Sequence, residues 1–272
     1  KITDKDLNEK WVDFLDFNNE IEYKKNVIDF KPDYLFHIGA LTDLEFCEKN
    51  KDLAYLSNTI SVETAVNISN MLNIPLLYIS TAGIFDGKKD FYDDWDIPNP
   101  INLYGKSKFY AERYVVENSN NYIVCRAGWM MGGGKRKDKK FVYKIIKQIT
   151  EGAEEIFVVN DKLGTPTYTI DFAKNVKLLI EKNEKGIFNL ICDDRTSRIE
   201  VSRFIVNKLN LMEKVKITEV DSEYFKDQYF AQRPYSEILI PTRLKLKNLY
   251  TMRNWKVSLT EYLNLYFNEN IK

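Results

Sequence analysis

Four short stretches of the chain are nearly all apolar: 33–38 (DYLFHI), 76–80 (LLYIS), 122–127 (YIVCRA) and 186–191 (GIFNLI). Runs of this length and composition mark strands buried on both faces. A shorter run from Lys10 to Phe17 (KWVDFLDF) reads as a further strand. Between the runs, apolar residues recur at helical spacing. Asn18 or Asn19 caps a helix with Ile21, Val27, Ile28 and Phe30, and Pro32 ends it. A long helix over 53–72 places Leu56, Ile60, Ala65, Ile68 and Met71 inward. A third starts near Tyr104, with Tyr110, Ala111, Tyr114 and Val115 on one face. This alternation predicts a parallel, doubly wound α/β sheet. Strands near 11–16, 33–38, 76–80, 122–127 and 187–191 should lie side by side, with helices on both faces.

After Arg126 the pattern loosens. Helices are expected over 141–149, 170–180, 200–209 and 259–267, with strands at 156–159 and 216–220. Gly164-Thr-Pro-Thr-Tyr168 reads as a rigid turn leading into a helix. The stretch GGGKRKDKK, from Gly132 to Lys140, is not a phosphate loop, because Arg136 stands where the motif needs Ser or Thr. It reads as an open basic loop whose lysines meet either a diphosphate or water. Residues 1–160, with 168–192 returning to them, form the expected dinucleotide-binding part. Residues 129–167 and 193–272 form a smaller C-terminal substrate lobe.

The chemistry gathers at the carboxyl ends of the predicted strands, where open α/β sheets bind their ligands. One strand ends in Ser80-Thr81 and is followed by Tyr104 and Lys108, one helical turn apart. A phenol of pKa about 10 is a poor acid or base at neutral pH. A nearby ammonium favours the phenolate, so Lys108 should lower the Tyr104 pKa. Such a Tyr can protonate an alkoxide as hydride arrives, while Thr81 holds the same oxygen. The bare spacing is weak, since Tyr143 and Lys147 repeat it within FVYKIIKQI and the chain holds 17 Tyr. Only Tyr104 follows a buried strand ending in Ser-Thr, so the second pair is read as structural. The turn Gly39-Ala40-Leu41-Thr42 is small enough for a dinucleotide to approach its backbone.

Composition narrows the classes. Forty basic residues balance forty acidic ones, which argues against nucleic-acid binding. No run is long enough for a membrane helix. Three scattered cysteines, Cys47, Cys125 and Cys192, suit a reducing cytoplasmic setting. The single histidine, His37, sits within a predicted strand and reads as a core residue, which argues against a Ser-His hydrolase. No Cys/His/carboxylate spacing suggests a metal site.

Several segments in order carry a family resemblance: KPDYLFHIGALTDLEFCE (31–48), YISTAGIFDG (78–87), PNPINLYGKSKFYAE (98–112), CRAGWMMGGG (125–134), VVNDKLGTPTYTIDFA (158–173) and QRPYSEIL (232–239). They resemble the extended short-chain dehydrogenase/reductases, and within them the dTDP-4-dehydrorhamnose reductases and their sugar-nucleotide-binding relatives. The resemblance implies a Rossmann-like fold and NADP or NAD as cofactor. It implies Thr81, Tyr104 and Lys108 as the catalytic set. Asp16, Phe17, Gly39, Ala40 and Leu41 would contact the cofactor together with Tyr104 and Lys108, although Asp16 also reads as a plain turn residue. Thr42, Trp129 and Arg233 would contact a nucleotide-diphosphate sugar. Asn58 falls where the family places an asparagine that braces the active-site strand, and a purely structural Asn is an equal alternative. A homodimer is compatible with the resemblance.

The implied reaction is NAD(P)H-dependent reduction of a nucleotide-activated 4-keto-6-deoxy sugar. Epimerase or dehydratase chemistry with the same triad, or a non-catalytic regulatory subunit, are the alternatives. The family begins with a strand, a Gly-x-x-Gly-x-x-Gly turn and a helix. That first β-α piece is expected to be absent from these residues. Two departures stand out. Ser80-Thr81-Ala82-Gly83 replaces Ser-Thr-Asp-Tyr, and Arg126-Ala127-Gly128-Trp129 replaces Arg-Thr-Ser-Trp. Both imply a wider, less polar pocket.

Overall fold

The computed structural model describes residues 1–5 and 9–267. In chain order the first half runs β1 (Thr3–Asp4), β2 (Asp13–Phe14), α1 (Glu20–Phe30), β3 (Leu35–His37), α2 (Leu44–Lys49), α3 (Lys51–Tyr55), α4 (Ser61–Leu72), β4 (Leu76–Thr81), α5 (Leu103–Asn118) and β5 (Tyr122–Ala127). Then follow β6 (Trp129–Met131), α6 (Gly134–Lys137), α7 (Phe141–Thr150), β7 (Glu155–Val159), β8 (Leu163–Gly164), β9 (Pro166–Tyr168), α8 (Thr169–Glu181) and β10 (Gly186–Leu190). The chain closes with β11 (Thr196–Ser197), α9 (Arg198–Lys208), β12 (Lys216–Val220), α10 (Thr242–Leu246) and α11 (Trp255–Tyr266).

The central sheet is parallel, in the order β10-β5-β4-β3. Successive side chains of a strand point to opposite faces, and both faces are covered over β4, β5 and β10, whereas the expected double burial fails at the edge strand β3, where Phe36 and the flanking Tyr34 and Ile38 are exposed. Leu77, Ile123, Cys125, Phe188 and Leu190 join one core with α7, α8, α9 and α11. Leu76, Tyr78 and Val124 join another with α1, α4 and α5. The near-continuous apolar runs are therefore what a doubly covered sheet needs. The last helix packs into the first of these cores through Trp255, Leu259, Tyr262 and Leu263.

The strand expected near 11–16 does not join this sheet. Only Asp13–Phe14 is extended, paired in parallel with Thr3–Asp4. Trp11 and Phe14 point to solvent, and Leu15 alone packs inward. Asn18 N–H then closes on Asp16 Oδ1 at 3.0 Å and turns the chain away. The helix expected over 53–72 is also altered. A π-turn at Leu56–Ile60 adds a residue to one turn and rotates the face that follows. Leu56, Ile60 and Met71 are exposed, and Ser57, Asn58 and Ser61 face inward with Ala65 and Ile68. Tyr110, expected inward on α5, is exposed. The supposed rigid turn at 164–168 is instead two short strands. β8 pairs with β11 and β9 with β6, so the segment stitches the C-terminal part to the end of β5. β7 pairs with β12 in a separate parallel ribbon.

Candidate active site

The site begins where β4 ends. Thr81 caps the turn that follows, accepting Gly83 N–H at 3.1 Å. Helix α5 starts against that turn. Its cap, Asn102, accepts Gly105 N–H at 2.7 Å and donates to Gln232 O at 2.8 Å. Gly105 is required here, because a Cβ at this position would lie 2.3 Å from Gly83 O. That close approach sets the Tyr104 ring beside the Thr81 side chain, with Thr81 Oγ1 at 3.5 Å and Tyr104 Cε1 at 3.7 Å from the point where Gly83 would bear a Cβ. Lys108 follows one turn later and is buried. Its Nζ donates to Ile79 O at 2.8 Å and lies 4.2 Å from the centre of the Tyr78 ring.

The electrostatics differ from the expectation that Lys108 lowers the Tyr104 pKa. Burial pushes the phenol up to about 12, the Thr81 hydrogen bond pulls it down, and the Glu237 carboxylate adds to the rise. Burial likewise pushes the Lys108 amine down to about 7, opposed by Glu112. The amine donates to a backbone carbonyl rather than to the phenol. Tyr104 is therefore a neutral phenol at physiological pH.

Asn58, rotated inward by the π-turn, locks the strand-end turn to α5. Its Oδ1 accepts Leu41 N–H at 2.8 Å, and its Nδ2 donates to Leu41 O at 2.9 Å and Ser107 Oγ at 3.0 Å. Ser107 Oγ in turn donates to Tyr104 O at 2.9 Å. Leu41 and Tyr104 pack against one small cluster formed by Cys47, Ala54 and Leu103. Phe17 lies on Gly39 so closely that a Cβ there would meet its ring at 2.4 Å. Phe17 also packs edge-on to His37, with ring centroids 5.4 Å apart. Phe17, with Asp16 beside it in the chain, and the Gly39–Leu41 turn therefore meet along the edge that leads to Tyr104. His37 is a core residue. Tyr23 OH lies 2.9 Å from its Nδ1 and Ser61 Oγ 3.2 Å from its Nε2, and burial lowers its pKa to about 3.

Beyond Thr42 a cavity of about 980 Å³ opens between the strand ends and the C-terminal part, lined among others by Glu45, Lys140, Lys144, Arg198 and Arg233. Lys140 Nζ donates to Thr42 Oγ1 at 2.6 Å. Arg233 grips Glu45 with both nitrogens, at 2.7 and 2.9 Å. Trp129 Nε1 donates to Glu237 Oε2 at 2.8 Å, and the Arg198 guanidinium lies 4.4 Å from the Trp129 and Phe141 ring centres. The basic loop is pinned as well as open. Buried Asp138 accepts Lys140 N–H at 2.8 Å and Tyr262 OH at 2.7 Å. The side chains of Lys135 and Arg136 lie outside the described residues.

Glu45, Arg198 and Glu237 were not singled out from the sequence, whereas Lys140 is one of the lysines of the expected basic loop. Glu237 lies inside QRPYSEIL, but its aim depends on a backbone bridge between Leu163 and Ser236 that no local pattern announces. The second Tyr/Lys pair is structural. Tyr143 packs near Phe267, with centroids 6.4 Å apart, and Lys147 pairs with Glu151 at 3.6 Å on the surface. Among the described residues no cluster of three or more His, Cys, Asp or Glu could hold a metal. No described helix is long and apolar enough to cross a membrane.

The arrangement has known counterparts. The sequence model of the RmlD substrate binding domain matches residues 6–267. The spore coat polysaccharide biosynthesis protein SpsK of Bacillus subtilis is 29% identical, over 86% of this chain and 80% of its own length. The methionine adenosyltransferase 2 subunit beta of Danio rerio is 28% identical, over 81% of this chain and 68% of its own. The crystal structure of dTDP-4-dehydrorhamnose reductase from Bacillus anthracis, in complex with NADP, superposes with a TM-score of 0.87 at 30% identity, covering 96% of this chain and 93% of that one. The chain thus belongs to the RmlD substrate-binding family, within the NAD(P)-dependent oxidoreductases of the extended short-chain dehydrogenase/reductase type.

Proposed function

We propose that this protein reduces a nucleotide-activated 4-keto-6-deoxy sugar with NAD(P)H. The observation that carries the reading is the placement of the Tyr104 ring beside Thr81 over Gly83, with the buried Lys108 amine one helical turn on. A phenol held above its ordinary pKa gives a proton only to a strong base, and an alkoxide formed at a ketone carbon is one. Thr81 would hold the carbonyl oxygen as charge develops on it. The buried Lys108 amine has donor capacity beyond its bond to Ile79 O and would hold the nicotinamide ribose.

The residues present fit the nicotinamide half of the cofactor. Tyr104, Lys108 and the Gly39–Leu41 turn, fixed by Asn58, form one edge, and the Ser80 hydroxyl at the same strand end is buried without a partner among the described residues. The sequence holds no Gly-x-x-Gly-x-x-Gly turn for the pyrophosphate. When bound, the cofactor supplies the hydride. The described cavity is of a size that takes drug- to nucleotide-sized ligands. Lys140, Lys144 and Arg198 offer cations to a diphosphate, and Trp129 packs on the sugar. On this reading residues 1–160 and 168–192 serve the cofactor, and 129–167 with 193–272 serve the nucleotide sugar.

Similarity to a methionine adenosyltransferase subunit supports a second reading, a binding subunit without turnover. Full-length protein incubated with NADPH or NADH and a dTDP- or UDP-4-keto-6-deoxy sugar separates the two. The reductase reading expects cofactor oxidation matched mole for mole by the reduced sugar. Cofactor binding without oxidation would favour the subunit, and rearranged sugar with no net oxidation would favour an epimerase.

A further inference from the structure

After Thr81 the chain carries Ala82 and Gly83, so the strand end itself offers the substrate no further polar side chain. The gap is filled from the other end of the sequence. Around the point where Gly83 would bear a Cβ, Thr81 Oγ1 lies at 3.5 Å, Glu237 Oε1 at 3.6 Å and Tyr104 Cε1 at 3.7 Å. Glu237 is held there from two sides. Its backbone N–H donates to Leu163 O at 2.9 Å, and its Oε2 accepts Trp129 Nε1 at 2.8 Å. Trp129 is itself fixed, since Arg198 stacks on its ring and a Cβ at Gly164 would meet that ring at 2.4 Å. The remaining oxygen, Oε1, has no hydrogen bond among the described residues and faces the two side chains that would hold the reacting carbonyl.

We propose that Glu237 is a specificity-determining residue: its Oε1 accepts a hydrogen bond from a substrate hydroxyl on the carbon next to the ketone. The proposal rests on the placement of the ketone at Thr81 and Tyr104. A carboxylate oxygen has lone pairs and no proton to give, so it selects a donor. A hydroxyl is the donor a hexose carries beside its ketone. An analogue lacking that hydroxyl leaves a half-buried carboxylate oxygen unpaired, and such sites discriminate strongly against the missing group. A hydrogen bond to a charged group corresponds to roughly 10- to 100-fold in affinity or kcat/KM.

The test compares full-length wild type, Glu237→Gln and Glu237→Ala on a dTDP-4-keto-6-deoxyhexose and on its analogue lacking the hydroxyl next to the ketone. Affinity is read by calorimetry without cofactor, and kcat/KM with NADPH. Wild type should favour the hydroxylated sugar about 10- to 100-fold. Glu237→Ala should abolish that preference, and Glu237→Gln, which keeps a partner for Trp129, should reduce it while melting like wild type. Equal affinity of wild type for both sugars, or an unchanged preference in both variants, overturns the proposal. Preference in binding that depends on Glu237, with no hydride transfer by wild type, would sustain the proposal and remove the reductase reading instead.

Discussion

Removing the Asn58 amide should loosen the whole site without touching the reacting atoms. The side chain makes three hydrogen bonds, two to the Leu41 peptide and one to Ser107 Oγ. Each is worth about 1 kcal/mol net, and buried partners left unpaired cost more. Asn58 and Ser107 are fully buried, so Asn58→Ala should destabilise the protein by about 3 kcal/mol. At roughly 2–4 °C per kcal/mol for a chain of this size, the melting temperature should fall about 6–12 °C. Asn58→Asp should be no milder, because its second oxygen would face Leu41 O, now 2.9 Å from the amide nitrogen, with no proton between them. The freed Leu41 turn should also weaken NADPH binding about tenfold, equivalent to about 1.4 kcal/mol. Thermal unfolding and fluorescence titration of the cofactor measure both effects. An Asn58→Ala protein that melts within about 1 °C of wild type and binds NADPH equally would show that this joint does not hold the site.

Lys108→Met should raise stability while lowering turnover. The folded-state amine, at about 7, lies below the unfolded value near 10.5, so burying it costs stability at and below neutral pH. Removing it should gain on the order of 2–4 kcal/mol at pH 7, after the lost bond to Ile79 O is subtracted. That advantage should shrink as pH rises towards 10.5, and unfolding curves at pH 7 and pH 10 would display it. Tyr143→Phe and Lys147→Met should leave the chemical step unchanged in single-turnover measurements, since neither side chain approaches Thr81.

Much of the architecture was legible because the strands of a doubly covered parallel sheet are near-continuous apolar runs. The runs at 76–80 and 122–127 therefore announced themselves, and the helix after Asn102 followed from its cap and spacing. What could not be read had non-local causes. The π-turn at Leu56–Ile60 inverted the expected face of its helix, so Asn58 is central where Leu56 looked buried. The Trp11–Phe14 segment has strand-like composition, but most of its apolar side chains find no cover, so it stays short. At the candidate site, the neighbourhood of Thr81 and Tyr104, with Lys108 one turn on, was legible from local order. Their proton affinities were not, because burial dominates Tyr104, opposed by Thr81, with a smaller rise from the Glu237 carboxylate, remote in sequence. The ion pair of Arg233 with Glu45 crosses 188 positions and has no local signature.

The central claim is that the Tyr104 hydroxyl delivers the proton. Tyr104→Phe removes that hydroxyl and keeps the ring, so cofactor affinity should change little. General acid catalysis typically contributes about 10²–10⁴-fold. The decisive measurement is the single-turnover rate of NADPH oxidation by Tyr104→Phe with a 4-keto-6-deoxy nucleotide sugar that the wild type reduces. The account predicts a loss of about 10²–10⁴-fold with NADPH bound as tightly as before. A wild-type rate in that variant would contradict it.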